Sequence, residues 1–165
     1  MSFLELAKRR TTARKYLDKK VEKEKLQKIL EAGNAAPTVV NTQPPKTIII
    51  QKKEEFAKLA KGANTYNAPL AILVCSEQND AWRRPFDGKY MGDIDASIVA
   101  DHMMLQSAEQ GLGTCWICHF NAEVIKKEFD LANNFEPSII LVIGYAADEP
   151  EVLNSLENYI TDAVF

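Results

Sequence analysis

The segment Asp93 to Gln110 constrains the fold more than any other part of the chain. No Pro or Gly interrupts it before Gly111-Leu112-Gly113, so it reads as one long helix ending at a glycine stop. Its apolar residues Ile94, Ala96, Ile98, Val99, Ala100, Met103, Met104, Leu105 and Ala108 nearly encircle it. A helix that is apolar all round is either central in its domain or shared with a second chain.

The flanking sequence alternates strand-sized apolar runs with helical patterns. Residues 3–10 predict a short helix. Residues 23–32 predict another, with Leu26, Ile29 and Leu30 on one face and Gly33 as its stop. Further helices are expected over 54–61, closed by Gly62, and over 122–130. Strands are expected at Thr47–Gln51, Pro69–Cys75, Thr114–Ile117 and Ser138–Tyr145, with a polar loop over 79–92. The strands lack polar alternation and so read as buried on both faces. That pattern implies an α/β or α+β sheet covered by helices on both sides. No repeat or linker breaks the chain, and 165 residues read as one domain, 1–165.

With 46% hydrophobic and 26% charged residues, the chain is neither a disordered tail nor a disulfide scaffold. No apolar run approaches the roughly 20 residues of a membrane span. The N-terminus lacks a secretory pattern and the C-terminus lacks a prenylation box. With three cysteines, this predicts a reducing, cytoplasmic setting and no membrane partner. A net charge of −3 argues against nucleic acid. The charge is unevenly placed. Residues 1–20 carry seven Lys or Arg against two acids, and residues 148–165 carry five acids and no base. Two solvated segments, or an anion site near the N-terminus, would both account for that.

Cys115-Trp116-Ile117-Cys118-His119 matches both a haem-attachment and a thiol redox pattern. In a strand, however, residues three apart point to opposite faces, so the two thiols are badly placed to bridge. Cys115 reads as a small core residue, and Cys75 and His102 are too few to complete a zinc site. In Arg10-Thr11-Thr12-Ala13-Arg14, an extended backbone puts residues 10, 12 and 14 on one side. Two guanidinium forks and a hydroxyl there suit a phosphate; the alternative is a solvated basic stretch. Pro37, Pro44 and Pro45 stiffen a loop carrying Thr38, Asn41 and Gln43, and Gln43 is expected to be extended because it precedes Pro44. Such a frame can read the edge of a flat heterocycle, or it is an ordinary turn. Gly111-Leu112-Gly113 allows close backbone approach to a ligand but is no dinucleotide fingerprint. No Ser-His-Asp order, nucleophile elbow or P-loop appears. Asp93 and Asp95 read as an acid–base pair or as favourable charges at a helix start. His102 reads as an interior or interface histidine.

Four tracts in this order resemble the nitroreductase family of FMN-dependent oxidoreductases. They are Arg10 to Tyr16, Ala36 to Pro44, Asp95 to Gly113, and Gly111 to Ile117. The resemblance implies an α+β fold, a mixed sheet with helices on both faces, and an intertwined homodimer with FMN at the subunit interface. It implies that Arg10 and Arg14 meet the FMN phosphate and that Thr12 lies near the flavin's polar groups. Thr38 and Asn41, with Val39 beside them, would reach FMN from the other subunit. The N–H groups near Cys118 and His119 would lie at flavin N5. The full cofactor-binding set so implied is Arg9, Arg10, Thr11, Thr12, Arg14, Pro37, Thr38, Val39, Asn41, Gln43, Asn64, Trp116, Ile117, Cys118 and His119. NADH or NADPH would be the co-substrate, and a small nitroaromatic- or quinone-like molecule the acceptor. No protein group is assigned the chemistry, because a flavin performs hydride transfer itself; Cys118 and His119 are the candidates beside it.

Three residues or tracts depart from the family pattern. Pro45 stands where a Trp is common after Gln-Pro. Cys118 and His119 stand where small residues are common. Glu151-Val152-Leu153-Asn154 stands where a basic pair is common.

Overall fold

Ser2 opens the first helix. Its Oγ accepts the Glu5 N–H at 3.3 Å, and the Glu5 carboxylate accepts the Ser2 N–H at 2.6 Å, a reciprocal cap. The computed structural model describes residues 1–148. In chain order the elements are α1 (Phe3–Arg9), α2 (Lys23–Asn34), β1 (Pro45–Ile50), α3 (Lys53–Leu59), β2 (Leu70–Glu77), α4 (Gly92–Glu109), β3 (Gly113–Ile117), α5 (Ala122–Glu128) and β4 (Phe135–Gly144). Every expected helix and strand is present, with ends displaced by at most three residues.

Hydrogen bonding orders the strands β1-β2-β4-β3, and each of the three pairings is antiparallel. The expected mixed sheet is therefore corrected to an antiparallel one among the described residues. Unbroken apolar strands are typical of parallel sheets, but they require only that both faces be covered. Here both are. Leu70, Ile72 and Val74 of β2 and Ile139, Leu141 and Ile143 of β4 pack with Leu26 and Ile29 of α2 and Val99, Ala100 and Met103 of α4. The alternate residues Ala71, Leu73, Ile140 and Val142 pack with Leu59 of α3 and Ile125 of α5. The period of two thus divides one sheet between two cores. The β2–β4 register shifts between Val74 and Cys75, opposite Pro137, which has no N–H for the ladder.

Two glycines have different roles. Gly111, at φ +75°, lies just past the end of α4 in the left-handed region, as a helix stop requires. Gly33 does not stop α2, which runs on to Asn34. A Cβ at Gly33 would lie 2.2 Å from Met103 Cε, so the bare Cα lets α2 approach α4 closely.

Candidate functional site

The basic run leaves α1 through Arg10, whose backbone is extended at φ −64°, ψ 122°. Thr12 bridges Thr114 of β3 in parallel, and the Ala13 N–H donates to Thr114 O at 2.8 Å. Gly113 permits this approach: a Cβ there would lie 2.7 Å from Ala13 Cβ. Further along, Tyr16 Oη donates to Ala13 O at 2.7 Å, and the Ala147 N–H donates to Lys15 O at 3.0 Å. The run is therefore pinned by its backbone, which leaves the side chains available.

Arg9, Arg10, Thr11, Thr12 and Arg14 line one cavity of about 760 Å³, with Gly111 and Gly113 behind it. Residues 10, 12 and 14 share this space, and Arg9 and Thr11 reach it too. Among the described residues none of the three arginines forms an ion pair, whereas Lys15 at the rim pairs with Asp148 at 2.9 Å. A cavity of this size suits a small-molecule cofactor, and unpaired guanidinium groups suit its phosphate. The acidic stretch beyond residue 148, including Glu151 to Asn154, lies outside the described residues.

The proline loop forms a second region. A short 3₁₀ turn spans Val39–Asn41. Val40, Asn41 and Gln43 have positive φ, at 46°, 57° and 49°. Gln43 is thus left-handed, not extended as its place before Pro44 predicted. Its N–H donates to Thr38 Oγ1 at 2.9 Å, which closes the turn against the local proline preference. Thr38 and Gln43 line a cavity of about 530 Å³ with Ala36, Lys46 and Met103. Pro37, Val40 and Asn41 are exposed and Val39 is half-buried.

The end of β3 forms the third region. Ile117 is buried, Trp116 is half-buried, and Cys118 and His119 are exposed. The Trp116 indole N–H donates to Cys118 Sγ at 3.1 Å. His119 and Asn64 line a cavity of about 660 Å³ with Gly62, Phe120 and Asn121. Asn64 Oδ1 also accepts the Tyr66 N–H at 3.0 Å, which shapes the turn it sits in. Cys115 is buried and Cys118 exposed, so the two thiols face different surroundings. Burial pushes the Cys75 thiol up to about 12 and raises that of Cys115. Among the described residues no three His, Cys, Asp or Glu side chains converge as metal ligands.

The three cavities share no lining residue. Among the described residues of one copy, the arginine run, the proline loop and the β3 end thus line separate cavities. Asp93 and Asp95 do not pair. Asp93 accepts from Ser138 Oγ at 2.9 Å, and Asp95 accepts from the Val39 N–H at 2.8 Å. His102 Nδ1–H donates to Ile98 O at 2.9 Å, half-buried within α4. Asp95 as an anchor of the proline loop is what sequence reasoning missed. Its only signal was an acid amid apolar neighbours, which also fits a helix start.

A family model described as the nitroreductase family matches residues 6–64 and 54–145. The chain belongs to the nitroreductase family. A crystal structure of a nitroreductase family protein from Clostridium difficile 630 is 55% identical, with a TM-score of 0.90, covering 92% of this chain and 88% of the other. An FMN-dependent nitroreductase from Clostridium difficile R20291 is 31% identical, with a TM-score of 0.80, covering 93% and 92%. An FMN reductase [NAD(P)H] from Bacillus subtilis is 27% identical over 174 residues, covering 89% of this chain and 70% of its own length. No described helix of this nitroreductase-family chain is long and apolar enough to cross a membrane.

Proposed function

We propose that the chain uses FMN to take hydride from NADH or NADPH and passes electrons to a small, flat nitroaromatic- or quinone-like acceptor. The sites would be built between two copies of the chain. Family membership makes it an FMN-dependent NAD(P)H oxidoreductase. The observation that carries the site is the convergence of Arg9, Arg10, Thr12 and Arg14 on one cavity, with the arginines unpaired among the described residues.

Bound FMN supplies the hydride chemistry at N5, so no protein nucleophile is required. The chain's task is to bind and orient. Arg10 and Arg14, with Arg9 and Thr11 beside them, take the phosphate through charge-assisted bonds. Thr12 meets the flavin's polar groups. Thr38, Val39 and Asn41 of a second copy, framed by Pro37 and Gln43, close the other side. Trp116, Ile117, Cys118 and His119 at the end of β3 would flank the flavin, with the N–H groups near Cys118 and His119 at N5 and Asn64 alongside. Nicotinamide and acceptor take turns over one flavin face.

Two observations support the homodimer. Among the described residues, the cavity lined by the basic run and the one lined by the proline loop share no residue. Ala96, Val99, Ala100 and Met103 of α4 are buried, but Ile94 is 40% exposed, and Ile98, Met104 and Leu105 are only half-buried. The described residues leave that apolar side of α4 partly uncovered, which a second copy would cover.

Steady-state oxidation of NADH and NADPH with nitroaromatic and quinone acceptors tests the reading. The FMN-loaded protein should turn over at least one nicotinamide, with parallel double-reciprocal lines. Failure of both nicotinamides to reduce the bound flavin would overturn the enzyme reading. It would favour a flavin-binding or flavin-sensing protein with little turnover, consistent with Cys118 and His119 crowding the end of β3.

A further inference from the structure

We infer that Asp95 is a positioning residue, which holds the Thr38–Gln43 loop in the shape that meets the flavin. The inference rests on the FMN reading above. The loop places Val40, Asn41 and Gln43 in the left-handed region, and for a β-branched residue such as Val40 that is a true outlier. Strained backbone of this kind persists only where its surroundings over-determine it, and it clusters at ligand clamps. Bonds within the loop set its curvature: Gln43 N–H to Thr38 Oγ1 at 2.9 Å and Asn41 N–H to Thr38 O at 3.0 Å. They do not attach it to anything.

Asp95 makes the attachment. Its Oδ1 accepts the Val39 N–H at 2.8 Å, the one hydrogen bond among the described residues from 38–43 to another element. The Asp95 side chain is fully buried, and its Oδ2 has no hydrogen-bond partner among the described residues. Although it lies in the first turn of α4, it makes no hydrogen bond to the free N–H groups of that helix among the described residues. A buried, half-satisfied carboxyl opposes stability, so its place is not explained by helix capping or packing. It is explained by the loop. Val39 lies between Thr38 and Asn41, the two polar side chains assigned to FMN, and a shift of Val39 displaces both.

The test compares FMN affinity in the parent protein, Asp95→Asn and Asp95→Leu by quenching of flavin fluorescence. Asn keeps an acceptor for Val39 and should bind FMN within about twofold of the parent. Leu fills the space without an acceptor and should weaken binding about tenfold or more. A double-mutant cycle separates positioning from a general loss of stability. Thr38→Val should matter little once Asp95 is Leu, whereas Arg14→Ala should weaken binding as much in either background. Equal affinity in all three proteins, or additive losses for Asp95 and Thr38, would overturn the inference. Hydrogen exchange in the unmodified, FMN-free protein needs no variant to fold: the Val39 amide should be protected along with α4. Rapid exchange at Val39 while α4 stays protected would also overturn it. If the parent bound no FMN, the cofactor reading would fall, and the exchange measurement would still decide whether Asp95 holds the loop.

Discussion

Replacing Arg14 by Ala weakens FMN binding roughly 10- to 100-fold and leaves the fold unchanged. The magnitude follows from losing charge-assisted phosphate bonds, each worth about 1.5–3 kcal/mol. The fold survives because the neighbouring backbone is held without the guanidinium group. Ala13 N–H bonds Thr114 O at 2.8 Å, and Lys15 O accepts from Ala147 at 3.0 Å. Arg14 is itself exposed. The control is riboflavin, which lacks the phosphate: its affinity should be the same in parent and variant. Titration calorimetry with both flavins measures the difference directly. An unchanged FMN dissociation constant would remove Arg14 from the phosphate grip, and an equal loss for riboflavin would place it elsewhere on the flavin.

The largest effect on stability is expected from Leu141→Ala. Leu141 is fully buried in β4, in register with Ile72 of β2 and Trp116 of β3. Its side chain belongs to the core shared with Val99 and Met103 of α4. Truncation there removes transfer free energy and leaves a cavity, together costing about 2–5 kcal/mol. For a chain of this size that lowers Tm by roughly 4–20 °C, at about 2–4 °C per kcal/mol. The effect should also reach the cofactor. In the order β1-β2-β4-β3, β3 is held to the sheet by β4, and β3 anchors the basic run through Thr114. Thermal unfolding followed by circular dichroism checks this, and a Tm within a degree of the parent would contradict the central place given to β4.

The elements were legible in the sequence because apolar periodicity and a few glycine stops mark them. Gly111 marks the end of α4, and the apolar stretches Leu70–Cys75 of β2 and Ile139–Ile143 of β4 have no polar interruption. Strand direction was not legible. Coverage on both faces produces the same apolar runs whether neighbours are parallel or antiparallel. The role of Gly33 was misread for a related reason: a glycine near a helix end resembles a stop, and only the approach of Met103 shows otherwise.

At the site, the arginine run was legible because charge and spacing lie within five residues. Its gathering with Arg9 and Thr11 in one cavity depends on Gly113 and Thr114, a hundred residues away in the chain. The conformation of Gln43 went against its local preference because Thr38 captures its N–H. The Asp95–Val39 bond spans 56 positions and no local pattern encodes it.

In the proposed function, two copies of the chain bind FMN through the basic run. Titration of the purified protein with FMN, monitored by absorbance and light scattering on the same sample, tests it most directly. A dimer mass at micromolar concentration and a yellow protein saturating at one FMN per chain are expected. A colourless, monomeric chain that takes up no added FMN would contradict it.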